Sequence, residues 1–188
     1  MNKLKYLALS KHIPIISDEA LALIKEIIIA NKYQTLLELG TAIGYSSIML
    51  SETVKYLETI ERNEVYYQEA LKQIELYHKE KVITARLGDA LTITPYKEGY
   101  DVIFIDAAKA QYLNFFKRYQ NYLNENGVII TDNLNFHDLK LELVSKQTKK
   151  LIKKIATYRQ FLINNEKFTT TFINKGDGLS ISKRKVKE

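Results

Sequence analysis

The stretch "LLELGTAIGYSSIML", residues 36 to 50, joins an apolar run, an acid, a turn bracketed by glycines and a helix-like tail. Its first part, with Thr35, is a continuous apolar run too short for a helix, which reads as a strand covered on both faces. Gly40 and Gly44 then permit a tight turn and a close backbone approach to a ligand, which a β-carbon would obstruct. Strand, glycine turn and helix in that order begin a ligand site in many open sheets. Alone they leave a dinucleotide, a phosphate and a nucleoside all open.

Working outward, "SDEALALIKEIIIANK" reads as an amphipathic helix over residues 17 to 32, with Ser17 as its cap and Asp18 and Glu19 at the positive end of its dipole. Downstream the alternation repeats. Strands are expected near 55–60, near 82–87, at "DVIFID" and at "GVIITD", with helices near 63–78 and 112–122. Such a series implies right-handed crossovers and a doubly wound, mostly parallel sheet with helices on each side. After it comes a long basic helix, "LKLELVSKQTKKLIKKIATYRQFL", and then "KFTTTFINKGDGLSISKRK", two β-rich runs around a turn at 175–178 that read as an antiparallel edge hairpin.

The 188 residues, 46% of them hydrophobic, suit one well-buried core, so a single domain over 1–188 is expected, with "KRKVKE" at 183–188 read as a flexible basic tail. The absence of cysteine removes disulfides, thiolate metal sites and cysteine nucleophiles together. With no apolar run near the roughly 20 residues that cross a bilayer, and a start too soon interrupted by charge for a secretory signal, the chain reads as cytoplasmic and without a membrane partner. A net charge of +6 and a pI near 9.2 suit an anionic partner, though an AT-rich coding sequence would also enrich lysine.

In open α/β sheets the ligand lies beyond the carboxyl ends of the strands. There the sequence places Glu38 with Gly40 and Gly44, then Glu61, then Gly88 and Asp89, then Asp106, and finally Asp132 and Asn133. Glu61 stands about 20 residues past the glycine turn, where an acid accepts the hydroxyl hydrogens of a ribose. A rim of carboxylates repels a pyrophosphate and suits a nucleoside that carries positive charge. S-adenosyl-L-methionine, with a ribose, an adenine and a sulfonium, meets both conditions.

Asp106, Asp132 and Asn133 form a second constellation. If the strands they end are neighbours, about 4.8 Å apart, their hard oxygens can share one Mg²⁺ or Mn²⁺; an Asx turn after the last strand is the plainer reading of "TDN" taken alone. Lys109, three residues after Asp106, is placed to act as a general base beside such an ion, where the neighbouring cation would lower its pKa. His137 is a weaker candidate for touching substrate.

Together these motifs resemble the metal-dependent, S-adenosylmethionine-dependent O-methyltransferases of the catechol and caffeoyl-CoA class, most closely the bacterial branch that includes the tRNA 5-hydroxyuridine methyltransferase. The resemblance runs in order through "IPIIS", "LLELGTAIGYSSIML", "TIERN", "LGDAL", "YDVIFIDAAKAQY", "GVIITDN" and "KGDGLSIS". It implies a Rossmann-like class I methyltransferase fold with a seven-stranded sheet. It further implies that Glu38, Gly40 and Ser46 line the methionine end of the cofactor, covered by Ile16, that Glu61 holds the ribose, and that Asp89 and Ala90 meet the adenine. Asp106, also close to the cofactor, would bind magnesium with Asp132 and Asn133, and Lys109 matches the family's base. A homodimer is implied too, although only a dozen residues precede Ile13, where relatives carry a longer helical segment that roofs the substrate and pairs subunits.

A catechol offers the metal two adjacent oxygens, and so does 5-hydroxyuridine; the lysines of "SKQTKKLIKKI" and "SKRKVK" favour tRNA over a small phenol with vicinal oxygens. The other readings are an RNA-binding protein that only retains the fold, against which the intact Asp106, Lys109, Asp132 and Asn133 argue, and a dinucleotide oxidoreductase, which lacks its G-x-G-x-x-G.

Overall fold

A computed structural model describes residues 3–135 and 145–186 of the chain. Seven strands, β1 (Thr35–Leu39), β2 (Tyr56–Glu61), β3 (Ile83–Leu87), β4 (Tyr100–Ile105), β5 (Leu123–Thr131), β6 (Phe168–Ile173) and β7 (Leu179–Arg184), form one sheet in the order β3-β2-β1-β4-β5-β7-β6. The pairs from β3 through to β5 are parallel, whereas β7 runs antiparallel to both β5 and β6. The hairpin read from the sequence is present, and its second strand, rather than its first, lies inside the sheet.

The period of two along each strand divides the core. Leu36, Val102, Phe104, Val128 and Ile130 face one side, where α1 (Lys3–Ser10), α2 (Asp18–Asn31), α3 (Tyr45–Leu50) and α4 (Glu64–Leu76) pack. Leu37, Leu39, Ile103, Ile105 and Ile129 face the other, under α5 (Tyr112–Tyr119) and α6 (Lys146–Ile163). Both faces of β1, of β4 and of the 127–131 half of β5 are therefore covered, which accounts for the largely apolar runs there, while residues 124–126 of β5 are exposed.

Local chemistry sets the helix ends. Ser17 takes an extended conformation and its hydroxyl accepts from the Ala20 N–H, while Asn63 caps α4 through the Tyr66 N–H. The described part of the long basic helix starts at Lys146, where the Ser145 hydroxyl caps it by accepting from the Thr148 N–H at 3.1 Å. The part of the expected helix at 139–144, like His137, lies outside the described residues. The basic tail also begins later than read. Lys183 pairs with Val128 and Thr169, and the Arg184 guanidinium donates to the carbonyl oxygens of Gln120 and Leu123, so both belong to β7. Their charge suggests solvent, but only their alternate side chains face it. The sequence reading also missed α1, whose Leu4 and Ala8 are buried against the first core face.

Among the described residues no helix is long and apolar enough to cross a membrane. The turn after β6 reaches back to the start of α2: a β-carbon on Gly176, whose φ is +54°, would meet Ser17 Oγ at 2.2 Å. Ser17→Ala removes the α2 cap beside that contact and is expected to cost about 1 kcal/mol, read as a lower midpoint in urea unfolding with an unchanged slope.

Candidate active site

The order β2-β1-β4 contains the reversal at which open sheets bind ligands. The connection after β1 passes to α3 on one face, the connection after β4 passes to α5 on the other, and a cleft of about 620 Å³ opens between them. That is ample for a cofactor-sized molecule. Ile16, Gly40, Ser46, Glu61, Asp89, Ala90, Asp106, Lys109 and Asn133, each singled out from the sequence, all line it. A roomier, more open groove of about 910 Å³ runs along Lys117, Phe161 and Asn164, but its charged residues Lys117, Glu166 and Lys167 are all exposed, so it offers no preorganised chemistry.

Gly40 is needed where it stands. Its φ is +99°, and a β-carbon would lie 2.2 Å from the carbonyl oxygen of Asp106, so any other residue would push β1 and β4 apart. On the neighbouring strand end, Glu61 is 8% exposed, and its two oxygens accept separately from the N–H groups of Ala42 and Asn63, at 2.9 and 2.8 Å. Each oxygen keeps a lone pair for a diol. Asp89 holds its own turn by accepting from the Leu91 N–H, while the Ala90 carbonyl accepts from the Tyr119 hydroxyl.

Glu38 departs from its expected place. It is wholly buried behind the cleft wall, because it shares the face of β1 that α3 covers. One carboxylate oxygen accepts from the Ser47 and Thr59 hydroxyls, and the other has no partner. Burial pushes its pKa up, and the hydroxyls of Ser46, Ser47 and Thr59 oppose that shift. Where sequence suggested a lining residue, the structure has a buried acid acting through its hydroxyl neighbours.

Asp106 and Asp132 lie one residue past the registered pair Ile105 and Thr131, so adjacent parallel strands deliver both carboxylates together. Burial pushes Asp106 up to about 8, with the charges of Asp132 and then Glu38 adding to it. Asp132 is 2% exposed and is pushed up to about 6, again by burial first. Asn133, with φ at +61°, occupies the left-handed region that Asn tolerates better than most residues. Its backbone N–H donates to Asp132 Oδ1 at 2.7 Å, its side-chain amide donates to Asp106 Oδ1 at 3.2 Å, and its Oδ1 accepts from Lys109 Nζ at 3.0 Å.

Two crowded carboxylates with an amide oxygen beside them form a donor set that a hard divalent cation fits, since such an ion would relieve the repulsion. No group of three or more His, Cys, Asp or Glu side chains converges among the described residues; the Asn133 Oδ1, which here accepts from Lys109, would have to supply a third donor to such a cation. Arg62, Tyr66, Gln111 and Phe115 also line the cleft. Arg62 could have been found beside Glu61, whereas Tyr66 and Phe115 sit on helices and gave no signal that separates them from core aromatics.

Comparison with known proteins adds three findings. The O-methyltransferase family profile matches residues 3–185. A provisionally named caffeoyl-CoA O-methyltransferase from Staphylococcus aureus is 37% identical, with 97% of this chain and 90% of that chain covered at a TM-score of 0.91. An O-methyltransferase from Bacillus cereus, solved with SAH, shares the fold at 21% identity and a TM-score of 0.84, with 97% and 89% covered.

The raised acids set a pH dependence. Asp106 and Asp132 titrate higher in the fold than the ordinary 3.8, so between about 4 and 8 the folded chain holds more protons than the unfolded one. Chelator-stripped protein should therefore lose stability as pH rises through that window, and Asp106→Asn should flatten the loss. Calorimetry reads it as roughly 2–4 °C of melting temperature per kcal/mol. A variant whose melting temperature tracks the parent at every pH would refute the assignment.

Proposed function

The chain belongs to the O-methyltransferase family, and from that premise we propose that it transfers the methyl group of S-adenosylmethionine to 5-hydroxyuridine at the wobble position of tRNA. The observation that carries the reading is the convergence of Lys109, Asn133 and Asp106 on a cleft whose other wall suits a nucleoside, with Asp132 buried behind them and holding the Asn133 N–H. When bound, the cofactor would supply an electrophilic sulfonium methyl, and Mg²⁺ or Mn²⁺ would polarise two vicinal acceptor oxygens.

The protein's own part is largely positioning. Glu61 holds the ribose hydroxyls, Asp89 and Ala90 border the adenine, and Ile16 closes the cleft over the methionine end with Gly40 and Ser46 beneath. Asp106, Asp132 and Asn133 hold the cation, with Asp106 also facing the cofactor. Lys109, as the neutral amine, would take up the proton of the acceptor's hydroxyl, leaving that oxygen as the nucleophile for a methyl group the cofactor would supply. Carboxylates at the rim attract a sulfonium, as they would not a pyrophosphate.

What favours an RNA acceptor is α6. Lys146, Lys149, Lys150, Lys153 and Lys154 are exposed on it, none is paired with an acid among the described residues, and the helix packs against the turn that carries Lys109. A polyanion laid along these lysines would release counterions near the mouth of the cleft.

Incubation with S-adenosylmethionine, Mg²⁺ and tRNA bearing 5-hydroxyuridine should yield 5-methoxyuridine by nucleoside mass spectrometry. Ready methylation of a catechol without any 5-methoxyuridine would move the reading to small phenols. Lys109→Ala should lower kcat by at least about 100-fold. The pair Lys149→Glu and Lys153→Glu should weaken tRNA binding and reduce its logarithmic salt slope by about 0.7–0.9 for each phosphate no longer neutralised.

A further inference from the structure

Pro14, Ile15 and Ile16 line the cleft from a segment that is neither helix nor strand, and their backbone makes no hydrogen bond to other backbone among the described residues. The segment is fixed at its two ends. The Ile13 N–H donates to the Ala8 carbonyl at 2.9 Å, and the Ser17 hydroxyl caps α2 through the Ala20 N–H at 3.2 Å. How closely Ile16 stands over the cleft therefore depends on what holds Ser17.

The β6–β7 turn, residues 174–178, reaches Ser17 from the strand end that bears Asp132 and Asn133. At its base the Leu134 N–H donates to the Gly178 carbonyl at 3.0 Å and the Asn135 N–H to that of Asp177 at 2.8 Å. The Asn135 amide donates to Asn174 Oδ1 at 2.6 Å, and the turn closes on itself from the Gly178 N–H to the Lys175 carbonyl at 3.0 Å. Its two glycines serve opposite sides. A β-carbon on Gly178 would overlap the Asn135 side chain, and one on Gly176 would overlap Ser17 Oγ. The turn thus fills the gap between residues 135 and 17 with no room at either end. A hairpin connection by itself requires neither contact.

We propose that this turn is a prop, with Gly176 and Asn135 as positioning residues: it takes its place from the chain just after Asn133 and, through Ser17, sets how closely Ile16 closes over the methionine end of the cofactor. The inference rests on the reading of Ile16 as the cover of that cofactor. It ties the cover to the strand end on the acceptor side, so that the two halves of the site keep one spacing.

S-adenosylhomocysteine titrated by calorimetry, without metal or acceptor and well below every melting midpoint, tests it. Gly176→Ala overfills the gap, and since the base of the turn cannot retreat, the strain should pass to the cover and weaken binding by about 10-fold, as expected for part of the burial of one isoleucine. Ser17→Ala opens the same gap and should weaken binding less. The two changes mis-set the spacing in opposite senses, so the double variant should bind more tightly than Gly176→Ala alone. Asn135→Ala loosens the base and should also weaken binding, although Asn135 does not line the cleft. Tyr33→Phe, which loses its 2.7 Å bond to the Asn126 carbonyl away from the cleft, should lower the melting temperature and leave the affinity at the parent's value. Parent affinity in Gly176→Ala, or in Asn135→Ala should the first variant not fold, would overturn the proposal, as would a double variant that binds no better than Gly176→Ala. Parent affinity in Ile16→Ala would overturn the cover itself, a failure seen with the turn unchanged.

Discussion

The approach of Gly40 to the carbonyl of Asp106 is the constraint on which the rest of the site depends. The Asp106 N–H donates to the Leu39 carbonyl and the Gly40 N–H to that of Ile60, so three strand ends are tied together across β2, β1 and β4. With no side chain at Gly40, the chain after β1 can turn toward one face of the sheet while the chain after β4 turns toward the other. The cleft is the space their divergence leaves. Glu61, Asp89 and Asp106 reach it because each stands at or just past the carboxyl end of its strand.

Charge is sorted on the same plan. The chain carries a net +6, yet Glu61, Asp89 and Asp106 line its cleft beside Arg62 and Lys109, and a row of exposed lysines lies outside it along α6. A cationic cofactor and an anionic acceptor can then approach one molecule without competing for the same surface. Buried acids within the fold also fall into two kinds. Glu58 is wholly buried but fully engaged, by Arg86 at 2.7 Å, by the Tyr96 N–H and by the Tyr100 hydroxyl. Among the described residues, Glu38, Asp106 and Asp132 have no salt bridge, Lys109 reaching Asn133 instead, and this incompleteness separates them from an acid that braces the sheet.

Much of this was legible in the residues. The largely apolar run at 36–39, interrupted by Glu38, and the unbroken one at 102–105 identified covered strands, and Glu61, Asp89, Asp106 and Asp132 fell at the strand ends where doubly wound sheets bind. Ser17 announced its helix through capping chemistry that needs no tertiary context, whereas the cap by Asn63 emerges only with the structure. What stayed hidden depends on contacts distant in sequence. Glu38 looked like a wall residue because sequence order does not reveal that α3 folds over its face of β1. Lys183 and Arg184 looked like a tail because charge masks a strand whose backbone pairs on both sides. Tyr66 and Phe115 carry no mark that distinguishes an aromatic at a cleft from one in a core.

The position of β7 has a consequence for the order in which the molecule can assemble. Residues 179–184 lie between β5 and β6, so the strand that leads to Asp132 and Asn133 gains its second neighbour only after residue 184 has been made, about 50 residues later. During synthesis, β5 waits with one edge open while everything the cofactor would touch is already translated. Loss of the last strand would therefore expose the interior of the sheet instead of trimming its margin. A ribosome that stalls before residue 179 would leave a chain holding every residue of the site but missing the partner that braces β5 on its far side.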